Sequence, residues 1–355
     1  MRINGHSHLL PYPEQIPDFM REKEIFWIDE DRKFMRQKNW QRPITDASFF
    51  LDEKMDWMKL NNIDHAVVLN LSQLYGNGLS SSDMKRALRF QNDFNAEVQH
   101  QHPSTFTCGF VVHAGFVQGA LWEIERCVKD LGLRVLCLPT HYLSDNGKWK
   151  GIFNEETEPI LELADKLNLA IEIHPYDGEK FILLENVSWR FHLVWMLAQC
   201  ADAYHFYTLN GYFDKYKNIR VCFAHGGQLS HINLGRRTQG FDGRPDLFEG
   251  KVRPRKAVGH PNIFFDTLVH DTHSLDLMIK RQKNTDQILL GLDDPYPLGE
   301  MNNENQSSLP GKILDLALEE KVINAKQHSE IWCDNVIRWL CGDDTEKFNN
   351  RIGLS

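Results

Sequence analysis

Short runs of apolar residues recur along the 355-residue chain and alternate with longer segments in which apolar residues repeat at helical spacing. The short runs are almost uninterrupted, as is typical of strands buried on both faces of a parallel sheet. The pattern predicts eight such strands, at Ile3–Gly5, Ala66–Leu71, Phe106–Val112, Arg134–Leu138, Ala170–Ile173, Arg220–Ala224, Ile263–Thr267 and Gln287–Leu292.

Amphipathic segments predict helices between and after these strands, at Phe49–Leu60, Met84–His102, Leu121–Leu131, Glu158–Leu167, Ser188–Leu209 and, with a break near Asn324, Lys312–Leu340. Eight strands, each followed by a helix or a long loop, match an α/β fold of the (β/α)8 TIM-barrel type in count and size. A doubly wound open sheet is the alternative, but no Gly-x-Gly-x-x-Gly fingerprint follows an early strand. We expect residues 1–355 to form one barrel domain with C-terminal helices.

Composition narrows the class of protein. Lys and Arg number 40 against 49 Asp and Glu, a net charge of −9. This balance argues against binding to nucleic acid or to an anionic membrane. The seven cysteines are scattered and form no Cys-x-x-Cys pair, which favours reduced thiols. With no apolar run of membrane-spanning length and no signal-peptide pattern after Met1, we expect a cytoplasmic protein.

Candidate metal ligands end four of the predicted strands. His6 and His8 lie two apart at the end of the first, so on extended backbone they project to the same side. His174 ends the fifth strand, His225 the sixth and Asp293 the eighth. Barrel enzymes carry their chemistry at the C-terminal ends of their strands, and His and Asp bind metal ions. The sequence therefore predicts a metal site on this rim.

Four motifs carry a resemblance to a known family. They are Gly-His-Ser-His, Ile-Glu-Ile-His-Pro-Tyr-Asp-Gly, Val-Cys-Phe-Ala-His-Gly-Gly and Leu-Leu-Gly-Leu-Asp-Asp-Pro-Tyr-Pro-Leu-Gly-Glu. In this order they resemble the amidohydrolase superfamily, within it the branch that contains 2-amino-3-carboxymuconate-6-semialdehyde decarboxylase. The similarity runs along essentially the whole chain.

The resemblance implies one Zn²⁺ per chain, with other divalent metals as alternatives. Its ligands would be His6, His8, His174 and Asp293, and His225 would act as acid and base at water on the metal. His225 and Asp293 are thus the expected catalytic residues. Binuclear members of the superfamily usually carry a carboxylated Lys at the end of the fourth strand. The run Val-Leu-Cys-Leu-Pro has none there, which favours a single ion.

Two positions depart from the family pattern. The residue two before the first His is usually Asp, and here it is Asn4. The residue after the strand-8 Asp is usually aromatic, and here it is Asp294. The Gly-x-Asp spacing selects Asp293 as the ligand. As a second carboxylate beside the metal, Asp294 would tune the water or recognise a different substrate; the alternative is a solvated loop residue.

The substrate-binding residues also follow from the resemblance. Lys38 and Arg42 lie in a stretch resembling one that holds substrate carboxylates in the decarboxylase. Arg236, eleven residues after His225, matches an Arg that reaches the active site of a neighbouring subunit. Arg binds carboxylates through two parallel hydrogen bonds. The resemblance therefore implies a small-molecule carboxylate substrate and a homodimer.

Four further residues lie near the predicted rim. Trp189 and Tyr296 are candidates for the wall of the pocket, although aromatic residues at such places more often belong to the core. His113 and His141 follow the third and fourth strands, where a structural role is the simpler interpretation.

The resemblance and these residues together imply a mononuclear zinc decarboxylase of a small unsaturated carboxylic acid. The alternative is a metal-dependent hydrolase or hydratase of the same superfamily, acting on a lactone or an amide with the same ligands. A non-catalytic metal-binding or scaffold protein would be favoured if a ligand were missing, and none is.

Overall fold

Eight parallel strands form the centre of the protein in a computed structural model that describes residues 1–38, 40–175, 187–301, 309–342 and 344–352. Each lies within or overlaps one predicted run, so the strand predictions are confirmed. The strands are β1 (Ile3–Ser7), β2 (His65–Val68), β3 (Phe106–Val111), β4 (Val135–Pro139), β5 (Ala170–His174), β6 (Arg220–Phe223), β7 (Ile263–Asp266) and β8 (Ile288–Leu289).

The strands are hydrogen-bonded in chain order, and the sheet curves until β8 returns to β1. Gly5 N donates to Leu290 O at 2.8 Å, and Asp293 N donates to His6 O at 2.8 Å. A Cβ at Gly5 would lie 2.8 Å from Leu290 O, so the close approach of the two segments requires glycine there. The predicted (β/α)8 barrel is confirmed.

Helices surround the barrel. Two of the helices predicted from the sequence need correction. The segment Lys312–Leu340 forms three helices, because Cys333 has non-helical backbone angles and adds a second break. The segment from Ser188 begins later than predicted, with a π-helical turn at Phe191–Trp195, since Ser188 is left-handed. The α-helices are Asp18–Glu22, Leu51–Leu60, Ser81–Gln101, Val117–Lys129, Glu158–Lys166, Met196–Leu209, Tyr212–Lys215, Gln228–Ile232, Leu234–Gly243, Thr272–Gln282, Lys312–Glu319, Ala325–Trp332, Asp334–Cys341 and Thr345–Ile352.

Within the described ranges, no helix has the length and apolar character needed to cross a membrane.

Two small antiparallel sheets lie outside the barrel and are absent from the sequence prediction. One consists of Trp27–Ile28, Phe34–Gln37 and Trp40–Pro43, and the other pairs His141–Leu143 with Trp149–Gly151. These strands have two to four residues and are mostly part-exposed, so they lack the continuous apolar run that marks a barrel strand.

The helix Asp334–Cys341 closes the end of the barrel opposite the predicted site. Trp339 is fully buried, and its indole Nε1 donates to Ile171 O and Arg220 O at the start of β5 and β6. Arg220 Nε donates in return to Trp339 O at 2.6 Å. With this end sealed, the polar residues at the carboxyl ends of the strands face the open end.

His65 is a buried histidine at the start of β2, away from the open end. Its Nδ1 lies 3.0 Å from Ser104 O and its Nε2 lies 2.9 Å from Thr107 Oγ1. A neutral ring satisfies both atoms, donating to the carbonyl and accepting from the hydroxyl. Burial lowers the pKa of His65 to about 4.

This pKa shift predicts a pH dependence of stability. The unfolded chain protonates His65 at its ordinary pKa, while the folded chain holds it neutral down to about 4. The contribution of His65 to the free energy of unfolding is therefore complete above the ordinary pKa. It is lost as the pH falls towards the pKa of the folded state, and the loss is about 2 kcal/mol between pH 7.5 and pH 5. Urea unfolding of His65→Gln should show a free energy of unfolding that falls correspondingly less over this range.

His100→Gln, at an exposed position on the helix Ser81–Gln101, controls for the loss of a histidine in itself. A His65→Gln protein with the wild-type pH dependence would contradict the assignment of a neutral buried ring.

Candidate metal centre

The five residues predicted as ligands and acid/base meet at the open end of the barrel, and all five are buried. The ligand atoms of His6, His174, His225 and Asp293 lie within 4.8 Å of one another. His8 adjoins this group through its Nε2, which lies 3.0 Å from Asp293 Oδ1 and 3.2 Å from His6 Nε2. The structure thus unites side chains from four strand ends that are far apart in sequence.

Backbone carbonyls orient two of the imidazoles. The Nδ1 of His8 lies 3.2 Å from Leu69 O, and the Nδ1 of His174 lies 2.8 Å from Pro175 O. Each ring therefore donates its Nδ1–H outward and turns Nε2 towards the centre of the group. This is the usual arrangement of a metal-binding histidine.

Asp266, at the end of β7, orients the third imidazole. Its Oδ2 lies 2.8 Å from His6 Nδ1 and accepts the backbone N–H of His225 at 3.0 Å. Its Oδ1 accepts the backbone N–H groups of Gly226 and Leu268. One carboxylate thus connects β1 to the turn after β6. Sequence reasoning missed this residue, although its position at a strand end was an available signal.

The backbone is strained where two of the key side chains leave their strands. His225 and Asp293 have φ angles of 56° and 50°, in the left-handed region that residues other than glycine rarely adopt. The turn continues through Gly226 at φ 62°, where a Cβ would lie 2.3 Å from Val269 Cγ1. Strain of this kind is concentrated at functional sites.

Burial keeps most of the imidazoles neutral. It lowers the pKa of His8, lowers that of His225 to about 4, and, together with the neighbouring imidazoles, lowers that of His174 well below its ordinary value. Burial alone would raise the pKa of Asp293, but the His8 hydrogen bond and the nearby imidazoles hold it well below its usual range. Neutral imidazoles and an ionised carboxylate are the forms that bind metal.

The pKa of His6 shifts in the opposite direction from those of the other imidazoles. Burial alone would lower its pKa, but the hydrogen bond to Asp266 and the charges of Asp293 and Asp266 outweigh burial and raise the pKa to about 9. Glu172, two residues before His174 on β5, has a pKa raised to about 8 by burial.

The residues fit a divalent cation. The Nε2 atoms of His174 and His225 are buried and have no hydrogen-bond partner within the described part of the chain. A buried nitrogen without a partner is costly, and a cation among these atoms would satisfy it. Imidazole and carboxylate ligands suit Zn²⁺ and also Mn²⁺.

A pocket leads from the surface to these residues. His174, His225 and Asp293 form part of its lining, together with Arg42, Gln73, His192, Gln228, His270 and Tyr296. The guanidinium of Arg42 lies over the Tyr296 ring, 4.7 Å from its centroid. Gln73, His192, Gln228 and His270 were not predicted from the sequence, because they lie outside the four motifs.

The other predicted residues lie elsewhere. Lys38 and Arg236 are exposed and are not among the described residues that line this pocket. His113 bonds to Asn77 at 3.2 Å, and His141 pairs with Asp202 at 3.1 Å. Trp189 is partly exposed and stacks on His192 with ring centroids 4.9 Å apart.

Comparisons with known proteins agree with this geometry. The model of the amidohydrolase family matches residues 72–321. The chain is 26% identical over 349 residues to 2-amino-3-carboxymuconate-6-semialdehyde decarboxylase of Dictyostelium discoideum, covering 95% of this chain and 89% of that protein.

Two solved structures share the fold. One is 5-carboxyvanillate decarboxylase from Sphingomonas paucimobilis, with a TM-score of 0.73, 17% identity, and coverage of 96% of this chain and 98% of that one. The other is dihydroxybenzoic acid decarboxylase from Polaromonas sp. JS666 with bound manganese and an inhibitor, with a TM-score of 0.69, 16% identity, and coverage of 95% and 96%. Since the family model spans more than half of the sequence and these relatives span nearly all of it, the chain belongs to the amidohydrolase family.

Proposed function

We propose that the protein is a metal-dependent decarboxylase of a small unsaturated or aromatic carboxylic acid. One observation carries the proposal: a cation, Arg42, faces the same pocket as the buried cluster of imidazoles and Asp293. A carboxylate held by Arg42 would thus lie in the pocket that leads to the metal site. The names of the relatives described above support the same reaction class.

His6, His8, His174 and Asp293 would hold one ion, for which we propose Zn²⁺. When bound, the ion supplies Lewis-acid stabilisation of developing negative charge. Manganese is the alternative, since the Polaromonas decarboxylase structure contains it. The cluster fits both ions by ligand type.

Decarboxylation exchanges a carboxylate for a proton. The bond between the carboxyl carbon and its neighbour breaks, its electron pair stays on the neighbouring carbon, CO₂ leaves, and that carbon takes up a proton. We assign the proton transfer to His225 Nε2, which faces the pocket and has no hydrogen-bond partner among the described residues. Burial lowers the pKa of His225 to about 4, so its ring is neutral near pH 7. His225 Nε2 would therefore take a proton from water and pass it to the carbon, which leaves hydroxide and a neutral ring.

Arg42 would orient the substrate. Its guanidinium presents parallel N–H donors that match a carboxylate, and the contact with Tyr296 limits its movement. The Tyr296 ring also lines the pocket and offers an apolar surface to a flat substrate. Lys38 remains a proposed second cation, since it directly follows the strand Phe34–Gln37, which pairs with the strand that carries Arg42.

A hydrolase or hydratase is the second candidate, because it would use the same ligands. Carbon dioxide release separates the two. The metal-loaded protein is incubated with 2-amino-3-carboxymuconate-6-semialdehyde, 5-carboxyvanillate, dihydroxybenzoates and simple lactones. We expect CO₂ from at least one carboxylate and no lactone opening. Lactone hydrolysis without CO₂ release from any of the acids would contradict the decarboxylase proposal and favour the hydrolase.

The cytoplasmic location stays a prediction.

The first of three predictions from the proposed function concerns metal content. Elemental analysis should find about one divalent ion per chain, because the cluster offers one set of four ligands. His174→Ala should lose most of the metal, since the substitution removes a ligand. The control is His141→Ala, which removes a histidine paired with Asp202 outside the pocket. Two tightly held ions per chain, or an unchanged metal content in His174→Ala, would refute the assignment.

The second prediction concerns His225. Its Nε2 lies 3.7 Å from Asp293 Oδ2 and within the compact group, so its role must be separated from that of a ligand. As an acid and base it should contribute about 10²–10⁴-fold to the rate. His225→Ala should therefore keep the metal and lose at least this factor in kcat. Loss of metal together with activity would make it a ligand.

We also propose a homodimer in which Arg236 acts across the interface. Arg236 is exposed on the helix Leu234–Gly243 and does not line the pocket of its own chain. A two-fold contact is reciprocal, so each subunit would receive one Arg from the other.

The third prediction tests this arrangement by mixing two inactive variants, Arg236→Ala and His174→Ala. A mixed dimer has one site with an intact metal centre and an intact Arg236 from the other chain. About half of the dimers should be mixed, each with one complete site, so roughly a quarter of wild-type activity should return. Mixing each variant with itself is the control. No recovery after verified subunit exchange would place Arg236 in its own chain or outside the mechanism.

A further inference from the structure

Four side chains form a buried polar network behind the metal site. They are Asn4 and Ser7 on β1, Lys54 on the helix Leu51–Leu60, and Asp294 directly after Asp293. All four are 0% exposed. Buried charges are rare and are kept only where they are paired and hydrogen-bonded. We refer to this set as the Asn4–Asp294 network.

Asp294 is the acceptor of the network. Its Oδ1 accepts from Asn4 Nδ2, while its Oδ2 accepts from Ser7 Oγ at 3.1 Å and from Lys54 Nζ. Lys54 Nζ also donates to Ser7 Oγ at 3.1 Å. Both carboxylate oxygens are thus occupied, and the Lys54 ammonium balances the charge. Asp294 is therefore neither a solvated loop residue nor a candidate metal ligand.

Asn4 connects the network to the backbone of the metal site. Its Oδ1 accepts the backbone N–H groups of His6 and Leu292, both at 3.1 Å. On the other side, the backbone N–H of His8 donates to Asp294 O at 2.9 Å. The network is therefore bonded to both strand-1 histidines and to the residue before Asp293.

The chemistry of position 4 explains why it is Asn. The side chain must accept two N–H groups and at the same time donate to a carboxylate, and the amide of Asn does both through separate oxygen and nitrogen atoms. An Asp there would accept but not donate, and it would place a second negative charge against Asp294. The two departures from the family pattern, at residues 4 and 294, are thus in direct contact.

We propose that Asn4, Lys54 and Asp294 are positioning residues that set the distance between the strand-1 histidines and Asp293. They act through the backbone of β1 and of the segment after β8, and they do not touch the ion. The inference rests on the proposed metal site and is independent of the reaction catalysed.

A reciprocal swap tests the network. Asn4→Asp alone loses the donor and adds a charge, and Asp294→Asn alone leaves the Lys54 ammonium without its carboxylate. The double variant, which combines Asn4→Asp with Asp294→Asn, restores one amide, one carboxylate and zero net charge. Its amide at position 294 can donate to the carboxylate at position 4 and accept from Lys54. Zn²⁺ and Mn²⁺ dissociation constants are measured by chelator competition, and thermal unfolding is followed on the metal-free proteins.

We expect each single variant to bind metal roughly 10- to 100-fold more weakly, as is typical when partners of metal ligands are changed. On a logarithmic scale, the double variant should recover at least about half of the metal affinity that the single variants lose. A single variant with wild-type affinity, or a double variant that binds no better than the singles, would overturn the proposal. If a single variant does not fold, the double variant is compared with the wild type alone. An affinity within about 10-fold of wild type then supports the proposal, and a weaker one refutes it.

Glu123→Gln is the matched control. Glu123 accepts from Asn92 Nδ2 at 2.8 Å and from Arg126 at 2.6 Å, the same chemistry on helices outside the barrel. This variant should lower the unfolding temperature and leave the metal affinity unchanged. The wild type is measured in the same series. Failure of the wild type to bind an ion would refute the proposed metal site, a result distinct from failure of the swap.

Discussion

The structure depends on the hydrogen bonds that close the barrel between β1 and the segment after β8. They join residues almost 290 positions apart and bring the strand-1 histidines beside Asp293. Gly5 permits the approach because it has no side chain between the two backbones. Asp266 adds a second connection, from His6 to the turn that carries His225. The geometry of the candidate metal site is thus a result of barrel closure.

Sequence patterns predicted most of the fold because a barrel strand is a local signal. Eight apolar runs were sufficient to locate the strands, and their ends identified the five clustered residues. Asn4 and Asp294 could be recognised as departures, but their contact depends on closure across the chain and on Lys54 from a helix. No local pattern predicts such a contact.

The other features that were not predicted from the sequence have similar causes. Asp266 lay at a predicted strand end but outside any motif, and only the structure shows that it connects β1 to the turn after β6. The small sheet that carries Arg42 consists of short, part-exposed strands without an apolar run. Elements that bury a continuous face are therefore predictable from sequence, whereas those held by a few polar or edge contacts are not.

The helix Asp334–Cys341 seals the far end of the barrel, and β8, the last barrel strand, precedes it in the chain. During synthesis, the first histidines emerge long before the carboxylate that completes their site. Contacts of such wide sequence separation form late, after most of the chain has been made. A nascent chain would hold two exposed histidines and an open apolar barrel. An ion that needs the strand-1 histidines together with Asp293 would therefore bind only the finished polypeptide.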